Sequence, residues 1–329
     1  MVPDCDKNEV FIGILASLSI KTDNKSNMDF GKLDDISNVN FTLPAAHPFT
    51  HQVLKNASGN NSTLCFVGPP IWSNKEWVGK IYPTTAKEKD FLYHYTRQFN
   101  TIELNVTHYQ IPTEATIQRW REASAPGFRF CPKWPQEISH ERQLRGCEAL
   151  SQAFTSAVLD LGEHLGTTFL QLGPYFDPRQ LHTLEVFLKQ LPTHFPISVE
   201  FRHPDWFTNQ SVWQETVQML HQLSVGTVMS EVAGRRDVVH MSLTTPTVVL
   251  RFVGNELHPT DFTRVDVWVQ RLKKWFSEGL QTAYIFVHCG ENINAPELTK
   301  YWVEQLNKLC NFSLSPPRIQ PKVVQGSLF

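Results

Sequence analysis

Two short segments, Ile102-Glu103-Leu104-Asn105 and Val199-Glu200-Phe201-Arg202-His203-Pro204, each set a carboxylate inside or at the end of an apolar, β-branched run. A glutamate in a buried parallel strand is costly unless paired, and the C-terminal ends of such strands are where an α/β barrel gathers its chemistry. Glu103 and Glu200 therefore point at a ligand, a metal or a cation. As a pair they are candidates for general acid and base or for metal ligation, with His288 as a further ligand or proton donor. Glu231 is a fourth candidate, so that Glu103, Glu200, Glu231 and His288 would hold a divalent metal; no HxH or HExxH spacing accompanies them.

Around these carboxylates the chain offers donors. Lys133 follows Pro132 at a strand end, the position from which a barrel lysine forms a Schiff base or holds a phosphate. The neighbouring carboxylates are expected to keep it protonated, which favours the anion-binding role. Arg202, Arg235, Arg236 and Arg251 add forked donors suited to phosphate or carboxylate. Asn105, Gln171 and His140 are candidate substrate contacts, and Tyr109 and Trp206 lead a set of loop aromatics that would wall the mouth against a base or sugar. The bland alternative is structural: Glu103 with Lys133, and Glu200 with Arg202 or Arg251, are buried ion pairs that fix register, and Arg235 and Arg236 sit on a solvated loop.

Such residues need a scaffold that brings them to one mouth. Apolar runs at 63–68, 101–105, 128–133, 168–172, 197–201, 224–229, 247–253 and 283–288 read as strands, eight in all, and segments of helical period separate them. Thr85-Ala86-Lys87-Glu88 reads as a capping box opening a helix that buries Phe91, Leu92 and Tyr95. Asp177-Pro178-Arg179-Gln180 is a second start signal, with proline at the first helical position. A stripe of Val265, Trp268, Leu272 and Trp275 follows Thr263 and ends at Gly279, and a last helix spans 294–309. Residues 231–246 follow neither period and read as a functional loop. The expected fold is an α/β TIM (β/α)8 barrel over 62–311, behind an extended, partly disordered N-terminal extension at 1–61 and before an extended tail at 312–329.

Composition narrows the function classes. A formal net charge of -2 supplies no global field to draw nucleic acid onto the surface, so a polyanion would need a local cluster. Six cysteines without a CxxC spacing read as small apolar residues in a reducing, cytoplasmic compartment, without disulfides. The apolar stretch at 10–20 is about half a membrane span, and an acidic leader makes it a poor signal peptide, so no membrane association is expected. Walker, Rossmann, GxSxG and kinase signatures are all absent from the sequence.

With the strands placed, residues 65–308 resemble the YecE-like proteins, a barrel family whose reaction is not established. The matching pieces, in order, are Phe99 through Tyr109, Phe130-Cys131-Pro132-Lys133, Ile138-Ser139-His140, Phe169-Leu170-Gln171-Leu172, Val199 through Phe207, and Phe286-Val287-His288. The resemblance implies a TIM barrel whose motifs line one pocket. A longer subgroup is similar through Phe30-Gly31-Lys32, Phe41 to Pro44, Ala233-Gly234-Arg235-Arg236-Asp237 and Leu243 to Thr247; this supports Met28 as the usual start, with Met1 to Asn27 as an extra leader. Glu231 stands where that subgroup leads one to expect aspartate, which tells against a strict metal geometry.

The function expected from these residues is hydrolysis of a phosphate ester, with nucleic acid among the candidate substrates. Two alternatives stay open: a non-catalytic module holding a small anionic ligand or nucleic acid, and a sugar-active enzyme using two carboxylates. The terminal Gln325-Gly326-Ser327-Leu328-Phe329 resembles the peptide by which bacterial repair proteins dock the sliding clamp, which would make that clamp a partner and tip the substrate toward DNA.

Overall fold

Eight short apolar runs become eight parallel strands in a computed structural model that describes residues 30–57 and 63–321. They are β1 (Leu64–Gly68), β2 (Thr101–Leu104), β3 (Arg129–Pro132), β4 (Thr168–Gln171), β5 (Ile197–Glu200), β6 (Gly226–Glu231), β7 (Thr247–Gly254) and β8 (Thr282–Cys289). Six pair continuously in the order β1-β8-β7-β6-β5-β4, and β2 pairs with β3. Two seams close the ring. Between β3 and β4, the Gly166 N–H donates to the Phe130 carbonyl (2.8 Å) and the Trp134 N–H to that of Phe169 (3.0 Å). Between β1 and β2 a side chain replaces the ladder: the Val67 N–H donates to Asn100 Oδ1 at 2.7 Å, and Asn100 Nδ2 donates to the Cys65 carbonyl at 2.9 Å. Gly68 permits this approach, since a Cβ there would lie 2.1 Å from the Thr101 carbonyl oxygen. The result is a TIM barrel.

Strand side chains alternate between two cores. Inside the barrel Phe66, Cys131, Phe169, Val228, Val249, Tyr284 and Phe286 form a buried layer. The residues two positions further along, at the C-terminal ends, are Lys133, Gln171, Ser230, Arg251 and His288, joined by Glu103 and Glu200. The opposite parity packs outward into a larger cluster shared with the helices.

Those helices are α1 (Pro48–Ala57), α2 (Phe91–Tyr95), α3 (Glu114–Ala123), α4 (Glu148–Leu159), α5 (Leu181–Lys189), α6 (Asp205–Thr208), α7 (Gln210–Gln222), α8 (Pro259–Glu278) and α9 (Ala295–Cys310). The capping box at 177–180 forms as its residue types require: Asp177 Oδ1 accepts the Arg179 N–H at 2.8 Å and Gln180 Oε1 accepts the Asp177 N–H at 3.2 Å. The one expected at 85–88 does not form. Lys87 instead precedes a 3-10 turn, Glu88–Asp90, with no side-chain cap bond, and α2 follows it. Helix α8 starts at Pro259 behind the cap His258, four residues before Thr263, because proline suits the first helical position; Gly279, at φ +122°, ends it. Residues 232–246 contain no helix, in keeping with a loop.

The segment expected as an extended arm carries a helix. In α1, Thr50, Val53 and Leu54 are buried, and Thr50 Oγ1 donates to the Met241 carbonyl (2.9 Å) while accepting the Leu243 N–H (2.9 Å). These bonds tie α1 to the stretch between β6 and β7. Among the described residues no helix is long and apolar enough to cross a membrane.

Candidate functional site

Arg251, inward on β7, is the hub of the polar layer. Its Nε and Nη2 donate to Glu103 Oε2 (2.8 Å) and Oε1 (3.0 Å), and its Nη1 donates to Glu200 Oε1 (3.1 Å). Both carboxylates are then filled by side chains from other strands and from the ends of their own. Glu103 accepts Asn105 Nδ2 at 2.9 Å and meets His288 Nε2 at 3.0 Å; Glu200 accepts Gln171 Nε2 at 2.7 Å, Ser230 Oγ at 2.7 Å and Arg202 Nη2 at 3.0 Å. Burial alone would raise both carboxyls, but the guanidiniums outweigh it. Arg251 and His288 hold Glu103 well below the usual carboxylate range, and Arg202 with Arg251 brings Glu200 to about 2. With their lone pairs taken and their charge locked, these glutamates orient the arginines. They are not poised to lose or gain a proton.

Lys133 stands apart within the same layer. It is 4% exposed and its Nζ lies 6.0 Å from the centroid of the Phe169 ring; its backbone is bonded to Leu104 and Thr107, but its amine makes no hydrogen bond or ion pair among the described residues. Burial, then the positive charge of Arg251, lowers its pKa to about 7 despite the opposing pull of Glu103 and Glu200. This corrects the expectation that the carboxylates keep Lys133 charged: Arg251 and Arg202 have already neutralised them. Two imidazoles border it. His108 Nδ1 is 2.7 Å from the Trp134 carbonyl, His140 Nδ1 is 2.8 Å from Ser139 Oγ, and the rings lie 5.2 Å apart. Burial and the Lys133 charge hold them near 3 and 4, so both are neutral at physiological pH.

Arg202 leaves the end of β5 and closes one side. Phe30 from the N-terminal segment covers its guanidinium at 3.6 Å, and its Nε is buried without a partner. Arg235 is not a free anion donor. It pairs with Asp237 at 2.5 Å and donates to the Arg202 carbonyl at 3.0 Å, so it positions Arg202 from behind.

Three sequence expectations are corrected by position. Glu231 follows the inward Ser230 and so points outward, where it accepts Trp268 Nε1 (3.0 Å) and pairs with Arg236 and Arg264 between the barrel wall and α8. The metal set of Glu103, Glu200, Glu231 and His288 is therefore split across the wall, and among the described residues no group of three or more His, Cys, Asp or Glu gathers to hold a metal. Trp206 is core: fully buried, it donates to the Phe176 carbonyl at 2.8 Å and packs on Phe201. Tyr109 is 59% exposed beyond β2, its ring edge-on to His108. Ser230, Phe169 and Phe30 belong to the site and were not singled out. Alternation from Val228 would have found Ser230; the contact of Phe30 joins residues too distant in sequence for any local signal.

Comparison with known proteins places this arrangement. Residues 66–321 match the model of a family described as a protein of unknown function, DUF72. The chain belongs to the DUF72 family. It is similar to the UPF0759 protein YecE of Escherichia coli K12, 34% identical over 263 residues that cover 74% of this chain and 93% of that one. A second relative, the UPF0759 protein YunF of Bacillus subtilis, is 22% identical over 152 residues, 44% of this chain and 53% of its own. Among solved structures, a DUF72 protein of Enterococcus faecalis superposes with a TM-score of 0.60 at 17% identity, covering 78% of this chain and 99% of that one. One of Thermotoga maritima gives 0.54 at 23% identity, covering 72% and 98%. At these identities the structures speak for the DUF72 fold alone.

Proposed function

We propose that this DUF72 barrel binds a small organic anion, carrying a phosphate or carboxylate, in the polar layer at the C-terminal face. One observation carries the reading: among the described residues, three basic side chains, Arg251, Arg202 and Lys133, share two carboxylates, and the lysine amine has no acceptor. A buried layer with one cation too many either takes up an anion or holds its lysine neutral. The buried Nε of Arg202, unpaired among the described residues while Nη2 is held by Glu200, adds a single charged donor that an oxyanion would satisfy. The phosphoester expectation keeps its anion in this reading. Its general acid and base do not fit Glu103 and Glu200, whose acceptor positions are occupied, which leaves Lys133 and the partly exposed His288, 3.0 Å from Glu103, as the groups that would act.

Thermal melts in inorganic phosphate, glycerol 3-phosphate and pyruvate test the binding. At least one should raise the melting temperature of the wild type and have little effect on Arg202→Met. If none moves the wild type at millimolar concentration, the reading fails. The clamp-docking expectation for Gln325 to Phe329 falls outside the described residues.

A further inference from the structure

We propose that Lys133 is a covalent site, its amine condensing with the carbonyl carbon of a small aldehyde or ketone whose phosphate or carboxylate is held by Arg202; the proposal rests on the anion-binding reading above. The geometry is that of an enclosed amine with nothing to do. Lys133 projects from the end of β3 above the Phe169 ring, which also lies 5.9 Å beneath the Arg251 guanidinium. A lysine kept for structure would be expected to close an ion pair with one of the two carboxylates in this layer. Both are instead saturated by Arg251, Arg202, Asn105, Gln171, Ser230 and His288. What remains for the lysine is a ligand. An amine desolvated beside another cation is the arrangement that makes lysine nucleophilic.

The step balances without a further reactant. The unprotonated Nζ attacks the carbonyl carbon to give a carbinolamine; its hydroxyl takes up a proton and leaves as water, and the nitrogen keeps one hydrogen in the iminium. Net, the ammonium form of Lys133 and the carbonyl compound give the iminium and one water. The positive iminium then takes the place of the ammonium near the Phe169 ring. The charged and titratable groups facing it are Arg251 from β7, Glu103 from β2, Glu200 and Arg202 from β5, and the neutral His108 and His140.

Reductive trapping tests it. The full chain is incubated with sodium cyanoborohydride and glyoxylate, pyruvate or dihydroxyacetone phosphate, with uncharged propanal and acetone as controls, and adducts are located by peptide mass mapping. The expected result is one dominant adduct on Lys133, its rate rising with pH through about 7. Anionic carbonyls should label roughly tenfold faster than uncharged ones, the worth of one charge-assisted hydrogen bond. Lys133→Arg should abolish that adduct while keeping the thermal shift with phosphate. Labelling confined to other lysines, with the anion-induced shift intact, overturns the covalent step and leaves the anion reading standing. Equal labelling of Lys133 by neutral and anionic carbonyls overturns the substrate class, and neither shift nor adduct overturns both readings.

Discussion

At Lys133 the competing forces can be separated by pH. A lysine whose folded pKa lies below its ordinary value is protonated in the unfolded chain while the fold resists the proton. Between the folded value of about 7 and the ordinary 10.5 the unfolded state therefore binds more protons, so stability rises with pH across that window and the full penalty is present below it. Lys133→Met removes the titration. We expect the wild type to gain stability relative to Lys133→Met between pH 7 and pH 10, by an amount on the order of a few kcal/mol. Urea denaturation midpoints of both proteins at the two pH values check this, and parallel profiles would mean that the fold does not hold the amine neutral. Residue types alone singled out Lys133, Glu103, Glu200 and Arg251. They paired Glu200 with Arg202 or Arg251, and both contacts form, but they gave Glu103 to Lys133 where Arg251 takes it, because that contact joins β2 to β7, far apart in the chain. Nor did they show that Ser230, and not Glu231, faces inward, although strict alternation from Val228 contained that answer.

Among the elements, strands were legible because each couples a short apolar run to a break, and all eight expected runs overlap an observed strand. Caps were legible where the chemistry was local and complete. Asp177 and Gln180 closed a box with proline between them, whereas Thr85 and Glu88 had the right spacing and no helix following immediately to cap. The seams were not legible. Nothing in the sequence announces that Asn100 spans β1 and β2 in place of backbone pairing, since a lone asparagine before a strand reads as a turn residue. Its amide supplies both bonds described for that seam, so Asn100→Ala should cost about 1–3 kcal/mol, from an amide and a carbonyl stranded at a buried junction. Asn100→Asp keeps the acceptor for Val67 and loses the donor to Cys65, and should fall between. A chemical denaturation series of the three proteins orders them; an unperturbed Asn100→Ala would show that the barrel closes there without the amide.

For the molecule as a whole, the question is whether residues 30–57 are an appendage or part of the barrel. The composition of residues 21–61, rich in Asn, Ser, Asp and Pro, argues for an arm, and composition is blind to the few apolar residues that anchor it. Leu54 is fully buried within the same cluster as Trp268 and Leu250, Thr50 is bonded on both its oxygen's sides to the stretch between β6 and β7, and Arg271 donates to the Pro44 carbonyl at 3.0 Å. Further along, Phe41 lies 4.5 Å over Arg264 and Phe30 covers Arg202, so one continuous segment runs from the outer helices to the polar layer at the C-terminal face. If it folds with the barrel, Leu54→Ala leaves a cavity in the shared core and should lower the single unfolding transition by about 2–5 kcal/mol, as Leu250→Ala within β7 should. An appendage would behave differently: Leu54→Ala would leave the main transition in place and add an early, separate one. Circular dichroism and tryptophan fluorescence followed through the same urea series distinguish the outcomes, because all nine tryptophans lie in the barrel while α1 adds helix outside it. Coincident, shifted curves are expected, since Phe30 can shield Arg202 from water only while α1 holds the segment down.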